Sequence, residues 1–307
     1  MAEITRARPR GAKVNWARTG NNLTYASLYM PALVLYLVFV MFPLCESFYY
    51  SLTEWNGMGN EATFIGLANY LNIFKDESVM RTVGTTFKYT ITVTVMCNLV
   101  GLLLALALNM KLKTRNIMRS VYFLPNVLSG LIVGYIWSFM FTDPLMKLGK
   151  LLGNDILGNN ALSSRNFAIF AAAFVTVWRT SGWYMMIYIA GLQGIPSELT
   201  EAAAIDGAGA WQRTRHITLP LLAPSFTINI ILAFERGLKD FDSIFALTAG
   251  GPGDSTLTIA INIYRQSFFF ARAGYGTAIG IMLFLLVAGL SLCQLFFLRR
   301  SENNVNG

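Results

Sequence analysis

Five ionisable side chains, Glu235, Arg236, Lys239, Asp240 and Asp242, stand close together in an otherwise largely apolar stretch, residues 223–248. Each would cost about 2.5 to 3.5 kcal/mol at the centre of a lipid-facing helix, so the group needs shielding by protein or water. At about 100° per residue, Glu235, Lys239 and Asp242 share a narrow arc with Arg236 and Asp240 beside it. Ile230, Ile231, Phe234, Leu238, Phe241, Ile244 and Phe245 take the remainder. Two compatible readings follow. Glu235 with Lys239 and Arg236 with Asp240 are i,i+4 pairs that can neutralise each other inside a bundle; alternatively the charged face lines a water-filled path for a polar solute. Arg179 is a second such residue, too deep in its own apolar stretch to reach either end. Trp183, four residues on, can stack on the guanidinium or present a flat apolar face to a sugar ring, although an aromatic belt at a membrane surface explains Trp178, Trp183 and Tyr184 as well.

Catalytic chemistry has few candidates. His216 is the single histidine, and Cys45, Cys97 and Cys293 lie in apolar runs without metal-ligand spacing, so no metal site is expected. The closest approach to a nucleotide-binding Gly-x4-Gly-Lys-Ser/Thr loop is Gly149-Lys150, followed by Leu151. The chain is therefore not expected to be an enzyme or to hold a cofactor, and ATP-driven work would come from another polypeptide. One segment is suited to receive it. Ser197 is a plausible helix N-cap, Glu198 to Asp206 are strong helix formers, and Gly207 suits a C-terminal stop. A helix of about ten residues does not hold alone in water, so this one must dock on a partner.

The surrounding elements must position these groups in a membrane. Of 307 residues, 54% are hydrophobic and 13% charged, with mean hydropathy +0.49. Six stretches approach bilayer-spanning length: 25–51, 84–110, 117–142, 165–192, 223–248 and 274–298. The first is too long for a cleaved signal peptide, lacks a cleavage site, and is expected to bend at Pro31 and Pro43. Thirteen Lys and Arg fall on the side of the basic leader 1–24 and the tail 299–307, against seven opposite, which puts both ends in the cytoplasm. The net charge of +8 is thus mainly a topology signal and an anionic-lipid contact rather than a nucleic-acid footprint. Inside the spans four acids (Glu46, Glu235, Asp240, Asp242) face four bases (Lys88, Arg179, Arg236, Lys239), with no bias towards a charged solute.

A longer pattern adds to this reading. Glu201-Ala202-Ala203, three residues, Gly207, nine residues and Ile217-Thr218-Leu219-Pro220 resemble the EAA loop of permease subunits of ATP-binding-cassette importers. Phe64-Ile65-Gly66-Leu67-Ala68-Asn69-Tyr70, Phe123-Leu124-Pro125, Ala190-Gly191-Leu192-Gln193-Gly194-Ile195-Pro196, Phe241-Asp242 and Thr248-Ala249-Gly250-Gly251-Pro252 are similar to the carbohydrate-type permeases, in particular the first of their two unlike permeases. Only the six-helix core of the larger maltose-transporter permease is matched. Met146 to Lys150 depart from a turn that relatives carry.

The resemblance implies an all-α membrane protein of six transmembrane helices with the type I importer permease core, residues 25–298, and a cytoplasmic coupling segment, 193–222. It implies that Glu201, Ala202, Ala203, Asp206, Gly207, Ile217, Leu219 and Pro220 form the contact with an ATPase. The expected substrate path holds Arg179, Trp183, Glu235, Lys239, Phe241 and Asp242. The implied partners are a second homologous permease, two ATPase subunits that bind ATP and Mg, an extracytoplasmic solute-binding protein, membrane lipid and a sugar, expected to be neutral, in a prokaryotic inner membrane. The competing class is a self-sufficient secondary transporter or channel using the charged face as an ion relay; neither an inverted repeat nor matching broken helices support it.

Overall fold

The computed structural model describes residues 27, 29–59, 61–110, 113–154, 158 and 160–306, with side chains through 296. The basic leader 1–24, Lys111 and the side chains of the tail 299–307 lie outside the described residues. The chain divides into two compact units, Met1–Tyr49 and Tyr50–Gly307. The first holds most of helix α1 (Tyr29–Ser51). The second contains a short antiparallel pair, β1 (Thr53–Glu54) and β2 (Thr63–Phe64), then α2 (Ala68–Lys75), α3 (Glu77–Leu108), α4 (Arg115–Val127), α5 (Gly130–Thr142) and α6 (Pro144–Leu151). There follow α7 (Ala168–Gln193), α8 (Ser197–Ile205), α9 (Ala210–Leu221), α10 (Ala223–Lys239), α11 (Asp242–Thr248), α12 (Ile259–Tyr264) and α13 (Ala273–Asn306).

Three of these, Tyr29–Ser51, Glu77–Leu108 and Ala273–Phe296, are long and apolar enough to cross a membrane alone. The third expected span is instead two helices, Arg115–Val127 and Gly130–Leu151, meeting at 96°. The fifth is likewise broken. Ala210–Leu221 meets Ala223–Lys239 at 64°, and helix α10 stops at Asp240, whose ψ of 119° is extended. Hydropathy measures how apolar a stretch is, not whether its backbone stays helical, so both breaks escape it. The departure noted at Met146 to Lys150 is an ordinary helix, α6, carrying an exposed Lys147–Asp143 ion pair of 2.8 Å.

Prolines are accommodated by a repeated device. A wide π turn at Leu37–Met41, closed by the Phe42 N–H donating to the Leu37 carbonyl, ends two residues before Pro43. Another at Thr214–Thr218, closed by the Leu219 N–H onto Thr214, ends two residues before Pro220. A proline ring collides with the carbonyl four residues earlier, and widening the turn moves that carbonyl aside. Pro31 sits in the first turn of α1, where proline is tolerated and no bend is needed.

Helix α7 is the axis of the second unit: sixteen of its 26 residues are buried, whereas α4 buries none. It buries small or polar residues, among them Ala168, Ala171, Ala172, Ala173, Thr176, Thr180 and Gly182, together with bulkier ones such as Tyr184, Met185, Tyr188 and Ile189, while Phe170, Phe174 and Trp178 are exposed along one stripe. The small residues allow the close backbone approach that joins helices in lipid, where the hydrophobic effect does not. Gly182 shows how close: a Cβ there would lie 2.1 Å from the Tyr122 carbonyl oxygen in α4. At Gly237 in α10 it would lie 2.9 Å from the Cα of Thr90 in α3. The buried face of α10 is accordingly Ser225, Thr227, Asn229, Ala233, Gly237 and Leu238, with Ile228 and Leu232 exposed.

The connection before α3 is tied by polar groups. Asn69 donates to the Ser51 and Thr53 carbonyls, both at 2.9 Å, and Tyr70 meets Ser51 Oγ at 2.7 Å. Asp76 caps α3 through the Ser78 N–H at 2.9 Å and accepts from the Tyr275 hydroxyl at 3.1 Å. Gly182→Ala should lower the melting temperature of the purified protein by several degrees, because backbone must move. Gly289→Ala, where an added Cβ meets nothing within 4 Å, should leave it unchanged; equal effects in a thermal-shift assay would contradict the packing assigned to α7.

Candidate functional site

The break after Lys239 brings the expected path residues together. A cavity of about 500 Å³ is lined by Arg179 and Trp183 of α7, Leu232, Glu235, Arg236 and Lys239 of α10, and Asp240, Phe241 and Asp242 of the α10–α11 junction. All six residues expected on the path line it. The cavity is within the usual range for ligand sites, and its walls carry three acids and three bases. Phe241 stacks on Phe245, with ring centroids 4.9 Å apart and planes at 19°, and Tyr264 braces both rings. Phe245 is therefore part of the packed junction and not a lipid-facing residue.

The charges pair differently from their spacing. Glu235 and Lys239 form the expected i,i+4 ion pair, and Lys239, in the last turn of α10, also meets the negative end of the helix dipole. Arg236 and Asp240 do not pair. Asp240 begins the extended backbone, and its carboxylate turns into the bundle, 8% exposed. There Oδ2 accepts from the Tyr89 hydroxyl of α3 at 2.5 Å and the Thr176 hydroxyl of α7 at 3.1 Å. Arg236 and Arg179 have no hydrogen-bond or ion-pair partner among the described residues, and the Nε of Arg179 is buried. Trp183 does not cover Arg179 as a cation–π partner; its ring lies 6.2 Å from that of Phe123. The cation–ring contact among the described residues is Lys88 over Phe170, at 4.7 Å.

Three contributors were invisible to residue spacing. Tyr89 and Thr176 are separated from Asp240 by 151 and 64 positions, and nothing local marks them as its partners. Gly130 is the third: a Cβ there would stand 2.9 Å from Asp242 Cβ and 3.5 Å from Arg179 Cζ. The break between α4 and α5 thus supplies the space in which Arg179 and Asp242 approach each other. A glycine directly after Leu128-Ser129 was the only sequence signal for it.

The docking segment takes its expected form at the C-terminal end of α7. Helix α8 spans Ser197–Ile205, so Ser197 is its first residue rather than its cap, and Pro196 takes the cap position. At the other end Gly207, with φ of +84°, closes a Schellman motif: the Ala208 N–H donates to the Ala203 carbonyl at 2.9 Å and the Gly207 N–H to Ala204 at 3.2 Å. No residue of α8 is buried, and Leu199, Ile205 and Trp211 are exposed at 46%, 87% and 71%. Glu201, Ala202 and Asp206 are exposed and Ala203 half-buried; Ile217, Leu219 and Pro220 are half-buried on the far arm, where the π turn admits Pro220. Apolar side chains in water on so short a helix form a surface that needs covering.

Broken helices beside an open polar cavity, with an exposed short helix at the end of α7, are features suited to a solute permease. Residues 97–303 match the family described as the binding-protein-dependent transport system inner membrane component, and the chain belongs to it. It is a multi-pass membrane subunit of an ATP-driven importer and not an enzyme, since members of this family work with a separate ATPase. The chain is 36% identical to the starch degradation products transport system permease protein AmyD of Thermoanaerobacterium thermosulfurigenes, over 92% of this chain and 96% of that one. It is 37% identical to the multiple sugar-binding transport system permease protein MsmF of Streptococcus mutans, over 88% and 93%. Among solved structures, a bacterial transporter that imports the acidic polysaccharide alginate superposes with a TM-score of 0.80 at 21% identity, over 94% of this chain and 99% of that one. That likeness establishes the type I importer permease fold.

Arg179→Ala and Asp242→Ala should each reduce solute uptake by about tenfold or more, the loss expected when one charged partner of a bound ligand is removed. Ile136→Leu, at a residue of α5 that is 53% exposed, should leave it within twofold. Comparable losses for all three in a transport assay would mean the cavity is structural only.

Proposed function

We propose that this chain forms half of the translocation path of a saccharide importer, and that the cavity at the α10–α11 junction is where the sugar passes. The observation that carries this reading is the convergence of Arg179, Trp183, Lys239 and Asp242 on one cavity whose acids and bases balance. Charged groups of both signs donate to and accept from hydroxyls, and an indole face suits the apolar side of a pyranose. The names of AmyD and MsmF, which refer to starch degradation products and to multiple sugars, support the same substrate class. The ion-relay alternative gains nothing from Glu235 and Lys239, which neutralise each other.

Helix α8 is the coupling element in this proposal. Glu201, Ala202, Ala203, Asp206 and Gly207 enter a cleft of a cytoplasmic ATPase that binds ATP and Mg, and Ile217, Leu219 and Pro220 hold the return arm. The complete importer has a second permease, two ATPase subunits and an extracytoplasmic binding protein that delivers solute near Gly250-Gly251-Pro252. Arg265 braces that loop, donating to the Asp254 carboxylate at 2.7 Å and the Ala249 carbonyl at 2.8 Å. Both termini face the cytoplasm of a prokaryotic cell, with the basic leader against anionic lipid.

Glu201→Lys and Gly207→Asp should abolish ATP-driven uptake while the protein still reaches the membrane. The first reverses a charge on the exposed helix, and the second forces a side chain into a φ of +84°. Co-purification of the ATPase with the tagged chain should fall in parallel, and uptake that persists with no ATPase bound would refute the coupling assignment.

A further inference from the structure

We infer that the end of the bundle opposite α8 holds a binding site for an anionic phospholipid, with the headgroup phosphate seated between helix α3 and the loop 253–255. Helices α3 and α7 run parallel: Tyr89 meets Thr176, Cys97 meets Thr180 and Asn98 meets Tyr188, pairs 87, 83 and 90 positions apart. Their N-terminal ends therefore lie together, away from α8, which follows the C-terminal end of α7. At that shared end a cavity of about 690 Å³ is lined by one face of α3 and by the loop. It shares no lining residue with the cavity at the α10–α11 junction.

The site has more positive charge than its acids neutralise. Asp254, the one acid among the lining residues, is held by Arg265 at 2.7 Å. Arg81 meets Glu77 at 3.5 Å, but both side chains are exposed and such a pair holds weakly. Neither Lys88 nor Arg165 has an acidic partner among the described residues. The Lys88 ammonium lies over the Phe170 ring, 4.7 Å from its centroid. The Arg165 guanidinium borders the loop, where a Cβ on Gly253 would lie 2.6 Å from Nη2.

Between these cations there is room. Gly84 stands on α3 between Arg81 and Lys88, and a Cβ there would meet nothing within 4 Å. Ser255, on the opposite wall, has a hydroxyl without a hydrogen-bond partner. Cations from two sides, a free hydroxyl and an unfilled turn of helix fit a phosphate group.

The residues beyond Lys88 favour a lipid as its source. Ile91, Val95 and Leu99 follow at three, seven and eleven positions, on the same face of α3, and all are exposed. This apolar stripe runs from the cation into the bilayer and gives acyl chains a surface to lie on. A free phosphate needs no such stripe, and an acidic protein surface does not follow it below the headgroups. A lysine at the head of a lipid-facing stripe is costly unless an anion meets it.

The test uses the assembled importer, purified in mild detergent through the tagged chain with its co-purifying subunits. Dioleoyl phosphatidylglycerol, dioleoyl phosphatidylcholine and inorganic phosphate are titrated separately, with binding read from the melting temperature and, for the lipids, from native mass spectrometry. Phosphatidylglycerol should stabilise at a concentration at least fivefold below that of phosphatidylcholine, and inorganic phosphate should not stabilise at all. One cation beside an anionic headgroup is worth about fivefold in affinity, so Lys88→Met and Arg165→Gln should each weaken phosphatidylglycerol binding by about that factor, and Lys88→Arg by less than twofold. Gly84→Leu, which fills the cavity, should weaken it at least fivefold without lowering the lipid-free melting temperature. An equal response to both lipids, stabilisation by inorganic phosphate, or unaltered phosphatidylglycerol binding in the Lys88→Met, Arg165→Gln double variant overturns the inference. If that double variant instead loses affinity for the solute-binding protein with its lipid binding intact, the patch is a protein contact and the inference falls.

Discussion

In a bilayer, apolar surface gains nothing by leaving lipid for protein, so helices associate where their backbones come close and where polar groups find each other. That constraint organises this chain around α7. Its inward face mixes alanine, glycine and threonine with Tyr184, Met185 and Tyr188, and its phenylalanines and Trp178 are exposed. Gly182 against Tyr122 and Gly237 against Thr90 leave no room for a methyl group. The same closeness buries polar side chains of α3, α7 and α10: some meet another helix, as Tyr188 does Asn98, and others a carbonyl one turn back, as Thr180 does Thr176.

The cavity is a consequence of two interruptions in this packing. The break between α4 and α5 sets Gly130 close against Asp242 and Arg179, and the break at Asp240 takes Phe241 and Asp242 out of the line of α10 into the cavity lining. Backbone leaving the helix inside a membrane is tolerated where it is buried in protein or lines a cavity, and the α10–α11 junction meets both conditions. Asp240 is anchored inward by Tyr89 and Thr176, while its neighbours face the open volume.

The two functional parts differ in how legible they were before folding. The coupling segment was readable because its determinants are local: a run of helix formers, a glycine where φ is positive, and an alanine surface, all within a dozen residues. Its cap was misplaced by one residue, which depends only on where Pro196 directs the chain. The charged residues that line the cavity were legible one by one, since an ionised group in a greasy stretch is conspicuous wherever it stands. Their pairing was not. Helical spacing matched Arg236 to Asp240, yet the helix ends between them and the nearer partners came from residues 151 and 64 positions away.

The sequence by itself determined the membrane class, the short helix at Ser197–Ile205 and the charged residues that line the cavity, because these follow from composition, hydrophobic run length and short-range pattern. Only the tertiary structure decided where helices break, which face of α10 is inside, and which charges are neutralised. Those outcomes depend on contacts between residues distant along the chain. A stretch such as 223–248 is equally apolar whether it continues as one helix or bends at Asp240, where the carboxylate meets the hydroxyls of Tyr89 and Thr176 on two other helices.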